Sequence, residues 1–319
     1  MPIIVPDTLP AKEHLEKDGV GMIGVRRAQH QDIRPLEIAL LNLMPNKQET
    51  ELQLLRLLGH SPLQINLTLL MTGSYTSKHT EKSHLNQFYL TWEEVKERNF
   101  DGLIITGAPI GHLSYDEIQY WPELQSIFDW AQTHVMSTFN LCWAAMAALY
   151  HFHQVPKHKL SQKLFGVFLH EIHQYECGLL RGFDDDFMVP VSRHTEIRAA
   201  DLPRNAGLEV LASSPEAGLC LIRDVPKRQV YMINHLEYDR WTLDREYRRD
   251  MAADKPINVP QNYYAENDPT RRPRHTWRSL GYLLFNNWLS EIYRDTPYDL
   301  DSLPQFLAKW HPAMSSGAA

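Results

Sequence analysis

FNLCWAAMAALY, residues 139–150, is the stretch on which the reading of the fold turns. Met136 to Leu141 reads as a short strand and the alanine-rich run after Cys142 as a helix, so the cysteine falls at a strand-to-helix junction. A sharp turn there exposes the thiol and aims it along the helix N-terminus, where backbone N–H groups and the helix dipole favour an anion. Ala144, two residues on, leaves room for such a turn. Taken alone, Cys142 is either a small buried hydrophobe, the commoner state of a free cysteine, or a nucleophile whose pKa must fall from about 8.5 toward neutrality.

The segments upstream say what the junction is attached to. LEIALLNL, Leu36 to Leu43, is a continuous apolar run of buried-strand type. Gln48 to Leu58 follows as a helix with Leu52, Leu54, Leu55, Leu57 and Leu58 as its apolar stripe and Gly59 as its stop. LQINLTLLM, Leu63 to Met71, alternates as a half-covered strand near a sheet edge does. Thr91-Trp92-Glu93-Glu94 has capping-box spacing and opens a short helix to about Arg98, after which GLIIT, Gly102 to Thr106, is a buried strand. Pro122 suits the first turn of a helix whose Leu124, Ile127, Phe128 and Ala131 share a face. Strands alternating with helices predict an α/β fold, a mainly parallel, doubly wound, flavodoxin-like sheet that binds ligands at the carboxyl ends of its strands. Cys142 lies at such an end.

Farther on, GFDDDFMVPVS, LEVLASS, GLCLIRD and RQVYMINH read as short strands continuing the sheet, and Trp277 to Tyr293 as a long helix. The expected organisation is an N-terminal extension over 1–35, one domain over 36–298 and a tail over 299–319 that ends in a disordered SSGAA.

Across 319 residues, 32 basic against 39 acidic side chains give a net charge of -7, without the basic excess of a nucleic-acid binder or a polybasic membrane anchor. Small molecules are the expected partners. The N-terminal residues lack a secretory pattern, and the longest apolar run, Leu141 to Tyr150, is far short of the about 20 residues that span a bilayer. Three widely spaced cysteines, Cys142, Cys177 and Cys220, make no disulfide framework, so a reduced cytoplasm is the expected setting. Sixteen histidines raise the question of a metal, but HEIH, His170 to His173, lacks the two-residue gap of H-E-x-x-H, and neither it nor His151 and His153 has neighbours of zinc type. No metal is expected.

A nucleophilic Cys142 needs a base. NHLEYD, Asn234 to Asp239, offers His235 and Glu237, which in extended backbone project from one face, so that the carboxylate could hold the imidazole tautomer while the other ring nitrogen faces a thiol. By itself H-x-E is equally the pattern of an ordinary surface strand.

Read together, NLMPNKQETE, DGLIITGAPIG, LCWAAMAAL, KLFGVF, PVSRHTE, NHLEYD and RHTWRSLG, in this order up to about Tyr293, resemble the homoserine O-acyltransferases of methionine biosynthesis. That family uses the class I glutamine-amidotransferase-like fold. The resemblance implies that Cys142 takes the acyl group from acyl-CoA as a thioester, with His235 as general base and Glu237 orienting it, before transfer to the hydroxyl of L-homoserine. The Trp143 N–H, with an N–H of the loop Thr106 to Gly111, would form the oxyanion hole. Arg249 would hold the acceptor's carboxylate, and Lys163, Ser192 and, more weakly, Arg193 would bind substrate. Gly111 implies succinyl-CoA rather than acetyl-CoA, because a glutamate there would fill the pocket and repel a succinyl carboxylate. No cofactor is implied beyond acyl-CoA as co-substrate, and a homodimer is. Two departures stand out: Met146 replaces a usual glutamine, and NHLEYD replaces the commoner GHPEYD. Competing readings are a glutamine amidotransferase or cysteine hydrolase using the same triad, against which stand the lack of a synthetase domain and Asn140 in place of the glycine before the elbow cysteine, and a binding module in which Cys142 is core.

Overall fold

The computed structural model describes residues 3–5, 22–24, 34–75 and 80–310; the SSGAA terminus and most of the N-terminal extension lie outside them. Two short strands, β1 (Ile3–Val5) and β2 (Met22–Gly24), pair in parallel as a separate sheet. The main sheet is built from β3 (Leu36–Leu41), β4 (Ile65–Met71), β5 (Tyr89–Thr91), β6 (Phe100–Ile105), β7 (Val135–Leu141), β8 (His158–Ile172), β9 (Asp186–Glu196), β10 (Leu208–Ser214), β11 (Gly218–Asp224) and β12 (Gln229–Met232). Its order is β5-β4-β3-β6-β7-β12-β11-β10-β8-β9. The first six strands of that order are mutually parallel. The remaining four add on antiparallel.

Helices α1 (Lys47–Leu58), α2 (Lys82–Phe88), α3 (Trp92–Val95), α4 (Trp121–His134), α5 (Trp143–His153), α6 (Thr242–Ala252), α7 (Arg278–Asp295) and α8 (Leu303–Leu307) flank the sheet. Alternation along β3 sends Ile38 and Leu40 into a core with Leu54, Leu57, Phe285 and Trp288 of α1 and α7. Ala39 and Leu41 enter the opposite core with Phe128, Ala145 and Leu149 of α4 and α5. Both faces of β3 and β6 are therefore covered, where Ile38 to Leu41 and Leu103 to Ile105 are apolar and buried throughout.

The structure revises several local expectations. In α1 only Leu54, Leu57 and Leu58 of the leucine stripe are buried, whereas Leu52 and Leu55 are 59% and 46% exposed, because the helix meets the sheet along a narrower face than five leucines suggest. The Thr91 capping box forms, but its helix ends at Val95 rather than near Arg98. The strand expected near a sheet edge is there, starting at Ile65 and second from the edge, with only the short β5 outside it. β8, fifteen residues long, has no counterpart among the strands expected from the sequence. The first part of the expected tail is α8, whose Leu303 and Leu307 pack on Met136 of β7. No helix among the described residues is long and apolar enough to cross a membrane.

Candidate active site

β7 ends at Leu141, and the next residue turns sharply. Cys142 has φ 50° and ψ −112°, a left-handed conformation that is costly for any side chain bearing a Cβ. Its N–H donates to the Met232 carbonyl at the end of β12 (2.6 Å), which pins the elbow to the neighbouring strand. α5 starts at Trp143, so the thiol stands at a helix N-terminus. Of the other two cysteines, burial raises the Cys177 thiol and pushes the fully buried Cys220 up to about 12.

The loop after β6 closes on this elbow. A Cβ on Gly107 would lie 3.2 Å from the Cys142 Cβ and 3.6 Å from the Trp143 nitrogen, so glycine permits backbone amides to approach the thiol this closely. Farther along, Gly111 faces Thr195, whose hydroxyl would sit 3.1 Å from a Cβ there and donates to the Met146 sulfur (3.4 Å). The Lys157 ammonium donates to the Gly111 carbonyl (3.0 Å) and to that of Leu113, which holds the loop in place. An apolar cavity of about 280 Å³ lies beside it, lined by Ala108, Ile110, Leu113, Tyr120 and Met44 together with Lys47, whose amine burial lowers to about 8 against the pull of Glu51.

His235 and Glu237 lie in the loop beyond β12 rather than on a strand, correcting the extended-strand expectation while preserving the pair. His235 Nδ1 is 2.6 Å from Glu237 Oε1, and its backbone N–H donates to Pro190 of β9 (3.0 Å). The ring stacks on Tyr238 with centroids 4.0 Å apart and planes inclined by 12°. Burial, the largest single influence on His235, disfavours its charge. The Cys142 and Glu237 charges and hydrogen bonds to both outweigh it, so its pKa stands well above the usual histidine value.

The structure adds a support that the sequence reading lacks. His170, within HEIH, is fully buried, with Nδ1 2.9 Å from the Phe168 carbonyl and Nε2 2.9 Å from the Asn234 side-chain nitrogen. Burial lowers its pKa to about 4, so the neutral ring donates to Phe168 and accepts from Asn234, tying down the residue before His235. His151 and His153 pair with Asp129 (2.8 Å) and Asp224 (2.6 Å). Among the described residues no group of three or more His, Cys, Asp or Glu could hold a metal ion.

Lys163 from β8, Ser192 from β9 and Arg249 from α6 come together. Glu246, which the sequence did not single out, is their hub: it pairs with Lys163 (2.8 Å), accepts from Ser192 (2.9 Å) and lies 3.6 Å from Arg249. Asp250 adds a second carboxylate, 3.6 Å from Lys163 and 2.8 Å from Arg249. Arg249 is 65% exposed, with its guanidinium on the Asp250 carboxylate. The signal for Glu246 was its i, i+3, i+4 spacing with Arg249 and Asp250 on one helical face. Arg193 stands apart. One residue along β9 from Ser192, it points to the other face, where it is buried and donates to the Thr195 (3.3 Å) and Ala217 carbonyls. Burial lowers its pKa, and the charge of nearby Cys142 is the first influence opposing that.

This arrangement has counterparts. The homoserine O-succinyltransferase family model matches residues 2–298. The homoserine O-acetyltransferase of Chelativorans sp. (strain BNC1) is 53% identical over 95% of this chain and 97% of its own, and that of Hyphomonas neptunium 52% over 96% and 100%. Among solved structures, a glutamine amidotransferase from Thermotoga maritima superposes with a TM-score of 0.55 at 10% identity, covering 81% of this chain and 98% of its own. A glutamine amidotransferase from Methylobacillus flagellatus gives 0.51 at 10%, covering 84% and 99%. The solved structures share the fold alone.

Proposed function

The chain belongs to the homoserine O-succinyltransferase family, and from that premise we propose that it moves a succinyl group from succinyl-CoA to L-homoserine through a thioester on Cys142. The broader activity, homoserine O-acyl transfer in methionine biosynthesis, follows from the family. The observation that carries the proposed route is the pairing of a strained elbow cysteine with His235, which Glu237 holds at 2.6 Å.

Cys142 reacts as the thiolate, its proton passing to His235. The thiolate adds to the thioester carbon, N–H groups of Trp143 and the 106–111 loop receive the oxyanion, and CoA leaves with the His235 proton. Acylation removes the negative charge on sulfur that helped hold His235 protonated, so burial now favours the neutral imidazole. His235 is thereby a base when the homoserine hydroxyl arrives: it takes that proton as the oxygen attacks the acyl-sulfur bond, and the thiolate and imidazolium re-form. Exchange of one thioester for another is nearly isoenergetic, and the oxygen ester is less activated, so the second step draws the first forward. Arg249 suits the acceptor's carboxylate, while Glu246 and Asp250 suit its ammonium.

The choice of succinyl rests on Gly111. With only hydrogen facing Thr195, the pocket leaves room for the longer, charged acyl group. A second reading, acetyl-CoA as donor, is favoured by the names of the Chelativorans and Hyphomonas relatives. Intact-mass measurement after separate exposure to succinyl-CoA and acetyl-CoA, in wild type and Cys142→Ala, decides between them. A succinyl adduct lost in the variant and discharged by homoserine is expected; an adduct from acetyl-CoA alone reverses the donor, and none from either donor refutes the thioester.

A further inference from the structure

Behind Glu237, on the side away from the elbow, the loop after β12 meets α1 and α7 around a cleft of about 410 Å³. Three guanidiniums line it: Arg56 from α1, Arg240 from the loop and Arg278 from α7. None has a carboxylate within ion-pair distance among the described residues, although acidic side chains outnumber basic ones in the chain. The two carboxylates that also line the cleft are committed elsewhere, Asp239 to Arg245 (2.9 Å) and Glu237 to His235. Arg240 donates to the Pro273 carbonyl (2.7 Å), and Arg278 leans on His275 Nδ1 (3.4 Å), so both are held in place. His275 Nε2 is buried without a partner, and burial together with Arg278, Arg240 and Arg56 depresses that imidazole to about 4. Trp241 stands 44% exposed at the rim, and Tyr282 lines the wall.

Cations lining one cleft without counter-charges repel one another, and unpaired guanidiniums beside an exposed indole are what a phosphorylated aromatic ligand requires. We infer that the Arg56–Arg240–Arg278 cleft binds the phosphate groups of a nucleotide, its base lying against Trp241. Two sources share that chemistry: the nucleotide end of the acyl-CoA co-substrate, or a separate nucleotide acting beside it. The first rests on acyl-CoA being the donor; the second does not. Glu237, which holds His235, also lines the cleft.

The test uses the full chain with adenosine 3′,5′-bisphosphate and inorganic pyrophosphate as calorimetric probes. Arg56 and Arg278 are exposed and bear on no core contact, so Arg56→Ala/Arg278→Ala retains the fold, which circular dichroism checks. The double variant is expected to bind both probes about tenfold or more weakly, as loss of charged hydrogen bonds dictates. Trp241→Ala should weaken the nucleotide and spare pyrophosphate. Competition then separates the sources, both of which uphold the site: displacement of the nucleotide by free CoA, with a raised KM for acyl-CoA and an unchanged KM for homoserine in the double variant, assigns it to the co-substrate. Simultaneous binding with CoA assigns it to a separate effector. Equal affinity of wild type and double variant for both probes overturns the inference. These binding measurements require no acyl transfer, so a Cys142 that forms no adduct would sink the thioester route and leave them unaffected.

Discussion

In the parallel half of the sheet, one continuous run, β7 through Cys142 into α5, delivers a single reactive atom. In the antiparallel half no single run delivers anything: Lys163 of β8 and Ser192 of β9 meet Arg249 of α6 around two carboxylates of that helix, Glu246 and Asp250. The first arrangement is local and its geometry is stored in backbone, a φ of 50° and a ladder bond to β12. The second is non-local, and its geometry is stored in a network of charges. On the proposed route, the reacting thiol is placed by backbone, and recognition falls to side chains that already hold charged partners.

That contrast can be broken from either side. The largest effect is expected from His235→Ala, which should lower kcat by about 10⁴-fold, the upper range for general acid–base catalysis, while leaving KM for homoserine nearly unchanged. Glu237→Gln should cost about 10²-fold in kcat. It should also lower the His235 titration midpoint seen by NMR, because one charge that raises it is gone. The sign of the linkage is fixed: a histidine raised in the folded state contributes stability in full below its unfolded pKa of about 6.5, and loses it as pH rises through the folded value. Wild type should therefore shed more stability than Glu237→Gln on the alkaline side, as urea unfolding across pH would reveal. An equal loss in both proteins would remove Glu237 from the charge balance.

On the recognition side, Glu246→Ala should raise KM for homoserine about 10- to 100-fold, since Lys163 and Ser192 both lose their partner. A drop in kcat alone would place Glu246 on the backbone-stored side of the comparison. Gly111→Glu should turn acyl preference toward acetyl-CoA by about tenfold. Adding Thr195→Ala should improve acetyl transfer further, because the hydroxyl 3.1 Å from the new Cβ is removed. Unchanged donor preference, read as the kcat/KM ratio, would detach Gly111 from specificity. The smallest effect on turnover is expected at Asn140, whose buried side chain bridges β7 to Gln229 (2.8 Å) and Val230 of β12. Asn140→Ala should lower unfolding stability by about 1–3 kcal/mol with kcat nearly intact.

The same contrast explains what could be read in advance. The parallel half announced itself because strand segments covered on both faces are apolar, as in Ile38 to Leu41 and Leu103 to Ile105. Cys142, His235 and Glu237 were legible as residue types with a chemical grammar. β8 was not, because most of its first half, His158 to Lys163, is exposed or half-exposed and carries no alternation to detect. Glu246 escaped because two of its partners, Lys163 and Ser192, are brought by separate strands, and Arg193 could not be separated from Ser192 without knowing which face of β9 looks inward. The two departures acquire physical contexts: Met146 accepts the Thr195 hydroxyl, and Asn234 is tied to His170.

The carbonyl of Met232 receives the Cys142 N–H, and three residues later the same chain presents His235. The proposed nucleophile and base are thus indexed to one another by the pairing of two adjacent strands, Met232 against Leu141, as two teeth are by a common rack. Loops elsewhere can breathe, and ligands can enter and leave, without altering the spacing between sulfur and imidazole. Heat should therefore abolish substrate capture before it abolishes the reactivity of the thiol, and the two losses should separate on a temperature scale.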